Sequence, residues 1–273
     1  MSPTRSRERR TPARGRRAST SAGMLSLLAL TATACSGEAA RLGLPEPITE
    51  QGKRVLTLWQ GSWIAAFATG AIVWGLIIWA VLFHRKRSDD LPPQVRYNLP
   101  IEMLYTAVPF IMIAVLFYFT ARDENYIEKT SKSPDVQVNV IAFQWSWQFD
   151  YPQYKRADGS PVSVVGTPAA PDANPGTKPV LVIPVGKTVR FNLHTNDVIH
   201  SFWVPAFLYK KDVMPGPKDN QFEITPTRTG TYEGRCAELC GVDHSRMLFQ
   251  LKVVTPAEFQ TFIDQRKAVG GAQ

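Results

Sequence analysis

The stretch "LTLWQGSWIAAFATGAIVWGLIIWAVLF", Leu56 to Phe83, contains no Asp, Glu, Lys or Arg. At about 1.5 Å per residue, a helix of this length exceeds the ~30 Å hydrocarbon core of a bilayer. Trp59 and Trp63 near one end and Trp79 near the other suit the interfacial aromatic belts. "HRKR", His84 to Arg87, stops the run. A second run, "IEMLYTAVPFIMIAVLFYFTA", Ile101 to Ala121, carries a single acidic residue, Glu102, and ends at "RDE". Two buried helices of a water-soluble core are a poor match for this length and charge depletion. The reading is a transmembrane hairpin over 56–121, with spans at 56–83 and 101–121.

Upstream, residues 1–34 hold seven Arg and one Glu, so six of the eight net positive charges of the 273-residue chain sit there. Residues 35–121 and 122–273 each carry a net charge of one, so no basic face remains to bind a polyanion. Nucleic acid is excluded as a partner. An Arg-rich start, a short apolar run from Met24 to Leu30 and small residues after it form an export signal over 1–34. "ATAC" ending at Cys35 has the form of a lipidation site, against the alternative of an ordinary signal peptide beside an incidental Cys. Export places residues 35–55 and 122–273 outside and the "HRKR" loop in the cytoplasm. An oxidising compartment also permits disulfides.

Residues 122–273 have a different texture. "VQVNVIAFQWSWQFDY", Val136 to Tyr151, alternates and is aromatic, predicting a strand. "GSPVSVVGTPAAPDANPGTKP", Gly159 to Pro179, is rich in Pro, Gly and Ala and reads as a long irregular insertion over 159–179. "VLVIPVGKTVRFNLHT" predicts two strands about Val185-Gly186, and "NQFEITPTRTGTYEGRC" and "MLFQLKVVT" supply more. Thr255 to Glu258 has capping-box spacing with Pro at the first helical position, predicting a helix over 256–268. Many short strands separated by turn signals argue for a β-sandwich or small barrel.

Within that domain "CAELCGVDHSRM" runs from Cys236 to Met247. Either it is a Cys236–Cys240 disulfide beside unrelated polar residues, or it is one wall of a metal site. The disulfide leaves His244 and Met247 as coincidences. Thiolate, thioether and imidazole together are what copper prefers, whereas a closed zinc site has little use for Met. Two bridging sulfurs serving two metals need a second imidazole. The chain has four His residues. His84 lies in the cytoplasmic loop and His194 in mid-strand, which leaves His200, in "NDVIHSFWVPAF" between strands.

"DVIHSFWVP" followed by "CAELCGVDHSRM" resembles subunit II of the haem–copper cytochrome c oxidases, over roughly residues 55 to 265. The resemblance implies a membrane-anchored chain whose hairpin precedes an all-β, cupredoxin-like Greek-key domain. It implies a dinuclear copper A centre in which Cys236 and Cys240 bridge two coppers. His200 and His244 then bind one copper each, and Met247 and the backbone carbonyl of Glu238 are weak axial ligands. "FQWSWQFDY" resembles the family's aromatic cluster, with Trp145 as electron entry; by itself it reads as strand packing. The Glu238 carboxylate is implied as a magnesium ligand shared with subunit I, against plain solvent exposure. Glu102 is implied at a proton-uptake entrance, against an interfacial charge that reaches water. The implied partners are subunits I and III, which hold the haems, a c-type cytochrome donor and the bacterial cell membrane. The implied work is electron transfer to an oxygen-reducing centre coupled to proton translocation, with no turnover from this chain alone.

Two features depart from the family pattern. The insertion is long, and the near-neutral outer domain lacks an acidic excess for docking a basic soluble cytochrome. A donor held in a larger respiratory assembly needs less steering. A quinol oxidase subunit II lacks the copper ligands, nitrous oxide reductase carries a large extra domain, and a copper-storage lipoprotein has no use for a fitted hairpin.

Overall fold

Thr49 starts the first helix, its hydroxyl accepting the Gly52 N–H at 2.9 Å, the bond by which Ser and Thr cap helices. In the computed structural model, which describes residues 37–87, 89, 91, 94–168, 177–217 and 220–268, α1 spans Glu50–Phe83 and α2 spans Leu99–Ile127. Both outrun the spans read from the apolar runs, because their outer ends are held by polar contacts with each other and with the β domain. The buried Asp123 carboxylate accepts from Arg54 at 3.2 Å and from Arg122 at 3.1 Å. Arg54 also lies 3.8 Å over the Tyr126 ring. Along the apolar windows of both helices nothing is buried within the chain. The export signal over 1–34 and Cys35 lie outside the described residues, and a 3₁₀ turn spans Ala39–Arg41.

The β domain has β1 (Val136–Phe143), β2 (Ser146–Lys155), β3 (Pro161–Val165), β4 (Val180–Pro184), β5 (Val189–Thr195), β6 (His200–Val204), β7 (Tyr209–Val213), β8 (Asn220–Ile224), β9 (Gly230–Cys236) and β10 (Leu248–Val254). They form two five-stranded sheets, ordered β3-β2-β1-β5-β8 and β4-β10-β9-β6-β7. β1 runs parallel to β5 and β4 parallel to β10; the remaining pairs are antiparallel. The buried residues of β1 and β5 alternate, as period-two side chains facing one core require. Between the sheets Phe191 of β5 stacks on Phe202 of β6 at 5.4 Å, and Trp147 of β2 meets Phe249 of β10 edge-on at 5.4 Å, pairs each worth about 0.5–1.5 kcal/mol beyond burial. α3 (Pro256–Ala268) buries Phe259 and Ile263. Its capping box closes, with Thr255 N–H donating to Glu258 at 2.8 Å and Glu258 N–H to the Thr255 hydroxyl at 3.3 Å.

The fold corrects three details of the sequence reading. Val136 to Tyr151 is not one strand: β1 and β2 form a hairpin that pairs Phe143 with Ser146 across the two-residue turn Gln144-Trp145. No Asn-Gly or Gly signals this turn, because contacts far away in sequence hold it. Part of the insertion expected at 159–179 is not irregular either. Val162 and Val164 alternate into the core as β3, and Thr167 and Thr177 pair hydroxyl to hydroxyl at 2.9 Å, while residues 169–176 lie outside the described residues. His200 opens β6 rather than lying between strands. The fold also adds a contact that the sequence reading did not address, between the segment before α1 and the β domain. Ile48 is buried in its core; its N–H donates to Ala206 at 3.0 Å, and its carbonyl accepts from Thr227 at 2.7 Å. Ala206 belongs to the 3₁₀ turn Pro205–Phe207 that follows β6. The start of α1 is thereby tied to the strand that begins with His200.

Candidate metal centre

β6, β9 and β10 are neighbours in the second sheet, and the centre sits at their common end. The pairing Phe202↔Cys236 sets His200 beside the last residue of β9. Cys236 N–H donates to the Met247 carbonyl at 3.1 Å, so the loop between them closes into a ring. His244 begins a 3₁₀ turn at His244–Arg246 within that loop. Gly241 has φ +125°, and a Cβ there would meet Trp145 Nε1 at 3.0 Å. Only glycine meets both demands at once.

Cys236 and Cys240 are free, with their sulfurs 3.8 Å apart, so the disulfide alternative is set aside. His200 Nδ1 lies 3.9 Å from the Cys236 sulfur and His244 Nδ1 3.5 Å from the Cys240 sulfur. Met247 Sδ is 3.8 Å from the Cys240 sulfur, and the Glu238 carbonyl is 3.2 Å from that of Cys236. The ligand atoms of His200, Cys236 and Cys240 all fall within 4.8 Å of one another. Both cysteines, His200 and Met247 are buried, while His244 is half-buried. The Glu238 side chain is exposed. His194 faces outward on β5 and contacts Asn196 at 2.8 Å.

Burial pushes both thiols up. At Cys236 hydrogen bonds with His200, the Glu238 and Ser201 backbone and His244 together outweigh that and bring the thiol down to about 7. Cys240, buried and beside the Cys236 charge, is pushed up to about 12. Burial opposes charging of His200, yet Cys236 and Asp197 hold its proton above the ordinary range. Metal-free, the pair gives up one proton easily and keeps the second, because two thiolates at this distance need cations between them.

Trp145 is joined to this centre: its Nε1 donates to the Cys240 carbonyl at 3.1 Å, and the Gln144 amide donates to the same oxygen at 2.8 Å. Glu102 is not part of it. It lies in the first turn of α2 and accepts the Asn98 N–H at 2.9 Å, a helix-capping contact that the sequence reading did not anticipate. Asp197, Gln144 and Trp147 were missed. The buried Trp147 indole donates to the Met247 carbonyl at 3.3 Å. Their only sequence signal was nearness to His200 and to the aromatic cluster.

A hairpin of lipid-length helices carrying a cupredoxin-like sandwich with a Cys₂His₂Met cluster defines a class: membrane-anchored domains with a buried soft-ligand metal site. Residues 136–254 match the family described as cytochrome c oxidase subunit II, periplasmic domain. The probable cytochrome c oxidase subunit 2 of Streptomyces avermitilis is 52% identical over 266 residues, covering 86% of this chain and 82% of its own length. Cytochrome c oxidase subunit 2 of Mycobacterium tuberculosis is 40% identical over 302 residues, covering 93% of this chain and 83% of its own. The crystal structure of the periplasmic domain of subunit II of cytochrome oxidase of Bradyrhizobium japonicum is 32% identical with a TM-score of 0.42, covering 50% of this chain and 97% of that one. The chain belongs to the cytochrome c oxidase subunit II family.

Proposed function

We propose that this chain takes electrons singly from a c-type cytochrome at a dinuclear copper A centre and delivers them to the haem–copper subunit I of a proton-translocating oxidase. The observation that carries the reading is the cluster itself: two free thiols flanked by two imidazole Nδ1 atoms and a thioether. Soft sulfur with imidazole suits copper, and the buried setting suits a closed site. Cys236 and Cys240, with His200, His244, Met247 and the Glu238 carbonyl, would hold the copper pair, the thiolates and imidazoles as its main ligands and the thioether and carbonyl as weaker ones. Bound there, the copper pair would supply a one-electron carrier whose unpaired electron is spread over two metals. The chain's own part is to hold six ligands rigidly and exclude water.

Trp145 is the proposed entry, a half-buried indole one hydrogen bond from Cys240. A cleft of about 470 Å³ borders Cys236 and His244 and carries Lys210 and Arg235, which supports an exit face separate from Trp145. The exposed Glu238 carboxylate is free to share a magnesium ion with subunit I. The setting proposed is a bacterial cell membrane, with the export signal removed, Cys35 lipidated, the hairpin over 56–121 spanning and the copper domain outside. Subunits I and III and a cytochrome donor within a respiratory assembly are the proposed partners. Glu102 is proposed at a proton entrance on the cytoplasmic side. Glu102→Gln keeps an acceptor for Asn98, so assembly should survive while oxygen consumption slows; unchanged consumption retires the role.

The decisive experiment loads the full chain, in detergent, with copper. Fragment 122–273 is unsuitable, because it lacks the buried Ile48. Two coppers per chain and a spin signal delocalised over both are expected. One copper with localised spin refutes the reading.

A further inference from the structure

The side of His200 that faces away from Cys236 is occupied by Asp197. Its Oδ1 lies 2.8 Å from His200 Nε2. The same carboxylate accepts the Thr195 hydroxyl at 2.9 Å, the Val198 N–H at 2.7 Å and, through Oδ2, the Gln144 N–H at 2.7 Å. Gln144 in turn reaches the Cys240 carbonyl through its side chain, beside Trp145. One bracket therefore runs from Cys240 through the Gln144-Trp145 turn and Asp197 to His200 and ends at the Cys236 sulfur.

We infer that Asp197 is a positioning residue that sets the tautomer and rotation of His200 and tunes the metal centre through it. A carboxylate on which an O–H and two N–H donors already converge acts as an acceptor toward His200 as well, so it selects the His200 tautomer with the proton on Nε2. That leaves the Nδ1 lone pair directed toward Cys236. A negative charge on the far side of the ring makes the imidazole a stronger donor and favours the more oxidised metal state. With three anchoring contacts besides His200, Asp197 is fixed in place, so His200 is held whether or not metal is present. The same anchoring makes the Trp145 turn and a metal ligand parts of one rigid unit, which explains a tight turn with no turn residues in it.

This inference rests on the copper reading, and its test separates the two. In the metal-free full chain at alkaline pH, nitrogen NMR should show His200 overwhelmingly as the Nε2–H tautomer, with Asp197→Ala giving a mixture. In the copper-loaded full chain, Asp197→Asn should raise the reduction potential, change the nitrogen hyperfine coupling and lower copper affinity by about 10–100-fold. Thr195→Val, which loosens the carboxylate and keeps its charge, should shift the same readings in the same direction by less. If Asp197→Asn does not fold, Thr195→Val and the tautomer measurement decide alone. A wild-type chain that takes up no copper defeats the copper reading, while the tautomer result still judges Asp197. Normal copper binding in every variant, with unchanged potential, hyperfine coupling and tautomer, overturns the role assigned to Asp197.

Discussion

In the β-sandwich Val138, Val140, Phe191 and Phe249 are sealed from solvent, whereas in α1 and α2 Ile64, Trp74, Leu104 and Phe117 turn most of their surface outward. The same residue types serve opposite ends. Water drives the first group together, and the second group needs an apolar medium around it. The regions are joined by polar knots at the outer ends of the helices and by residues 46–52, where Arg228 pairs with Glu46 and Gln51 accepts the Thr225 N–H at 3.0 Å. Gly52 shows how tight this junction is, since a Cβ there would meet the Phe207 carbonyl at 2.6 Å. A boundary drawn where hydropathy changes therefore misplaces a short part of the copper domain.

The largest effect is expected at the end of the sandwich where burial is functional. Cys240→Ser removes one of the two sulfurs proposed to hold the copper pair and should abolish binding of both coppers, read by metal analysis, while circular dichroism stays native. A copper pair that survives would break the view of that end as a single closed site. Next comes the junction. Ile48→Ala should cost the sandwich about 2–5 kcal/mol in thermal or denaturant unfolding. Ile72→Ala, exposed on α1, should change sandwich stability by less than about 0.5 kcal/mol. Equal costs would mean that the hairpin and the sandwich fold as one cooperative core.

A smaller effect is expected from Trp145→Phe, which removes the indole N–H to Cys240 and keeps an aromatic ring. Copper content should be unchanged and reduction by the cytochrome donor slower in stopped-flow traces; a normal rate would return Trp145 to packing. The smallest effect concerns Glu128, just past α2, whose carboxylate accepts from Lys211 and Tyr209. Burial pushes this carboxyl up, but those two partners outweigh it and hold it below 4.5. Its stabilisation is therefore present above about pH 4.5 and is lost as pH falls through the lower, folded value. Glu128→Gln should flatten the acid limb of the stability curve there. An unchanged limb would mean that the contact between α2 and β7 is not held by charge.

Much of this was legible before any coordinates. The charge-free run from Leu56 to Phe83 leaves few alternatives to a membrane span, because unpaired polar groups in hydrocarbon are so costly. The alternation of Val136, Val138 and Val140 marks a half-buried strand for an equally local reason. The spacing of Cys236, Cys240, His244 and Met247 names candidate ligands, since few other uses need those side chains within one loop. The turn at Gln144-Trp145 was not legible, because its stabilising partners, Asp197 and Cys240, lie some fifty and ninety-five residues away. β3 was hidden for a related reason: its short Val alternation sits among Pro and Gly, and only the edge of β2 makes it a strand.

By itself the sequence determined what depends on neighbours along the chain: which segments are apolar enough to cross a membrane, which alternate, where α3 is capped, and which residue types are gathered near Cys236. Tertiary structure alone decided what depends on distant partners. It brought His200 to Cys236 across 36 positions, placed Asp197 behind the ring, and built Ile48 into a sandwich that begins far downstream. The physical reason is range. Helix capping, hydropathy and period-two burial act over a few residues, whereas sheet pairing between β6 and β9 sets distances that no local pattern encodes.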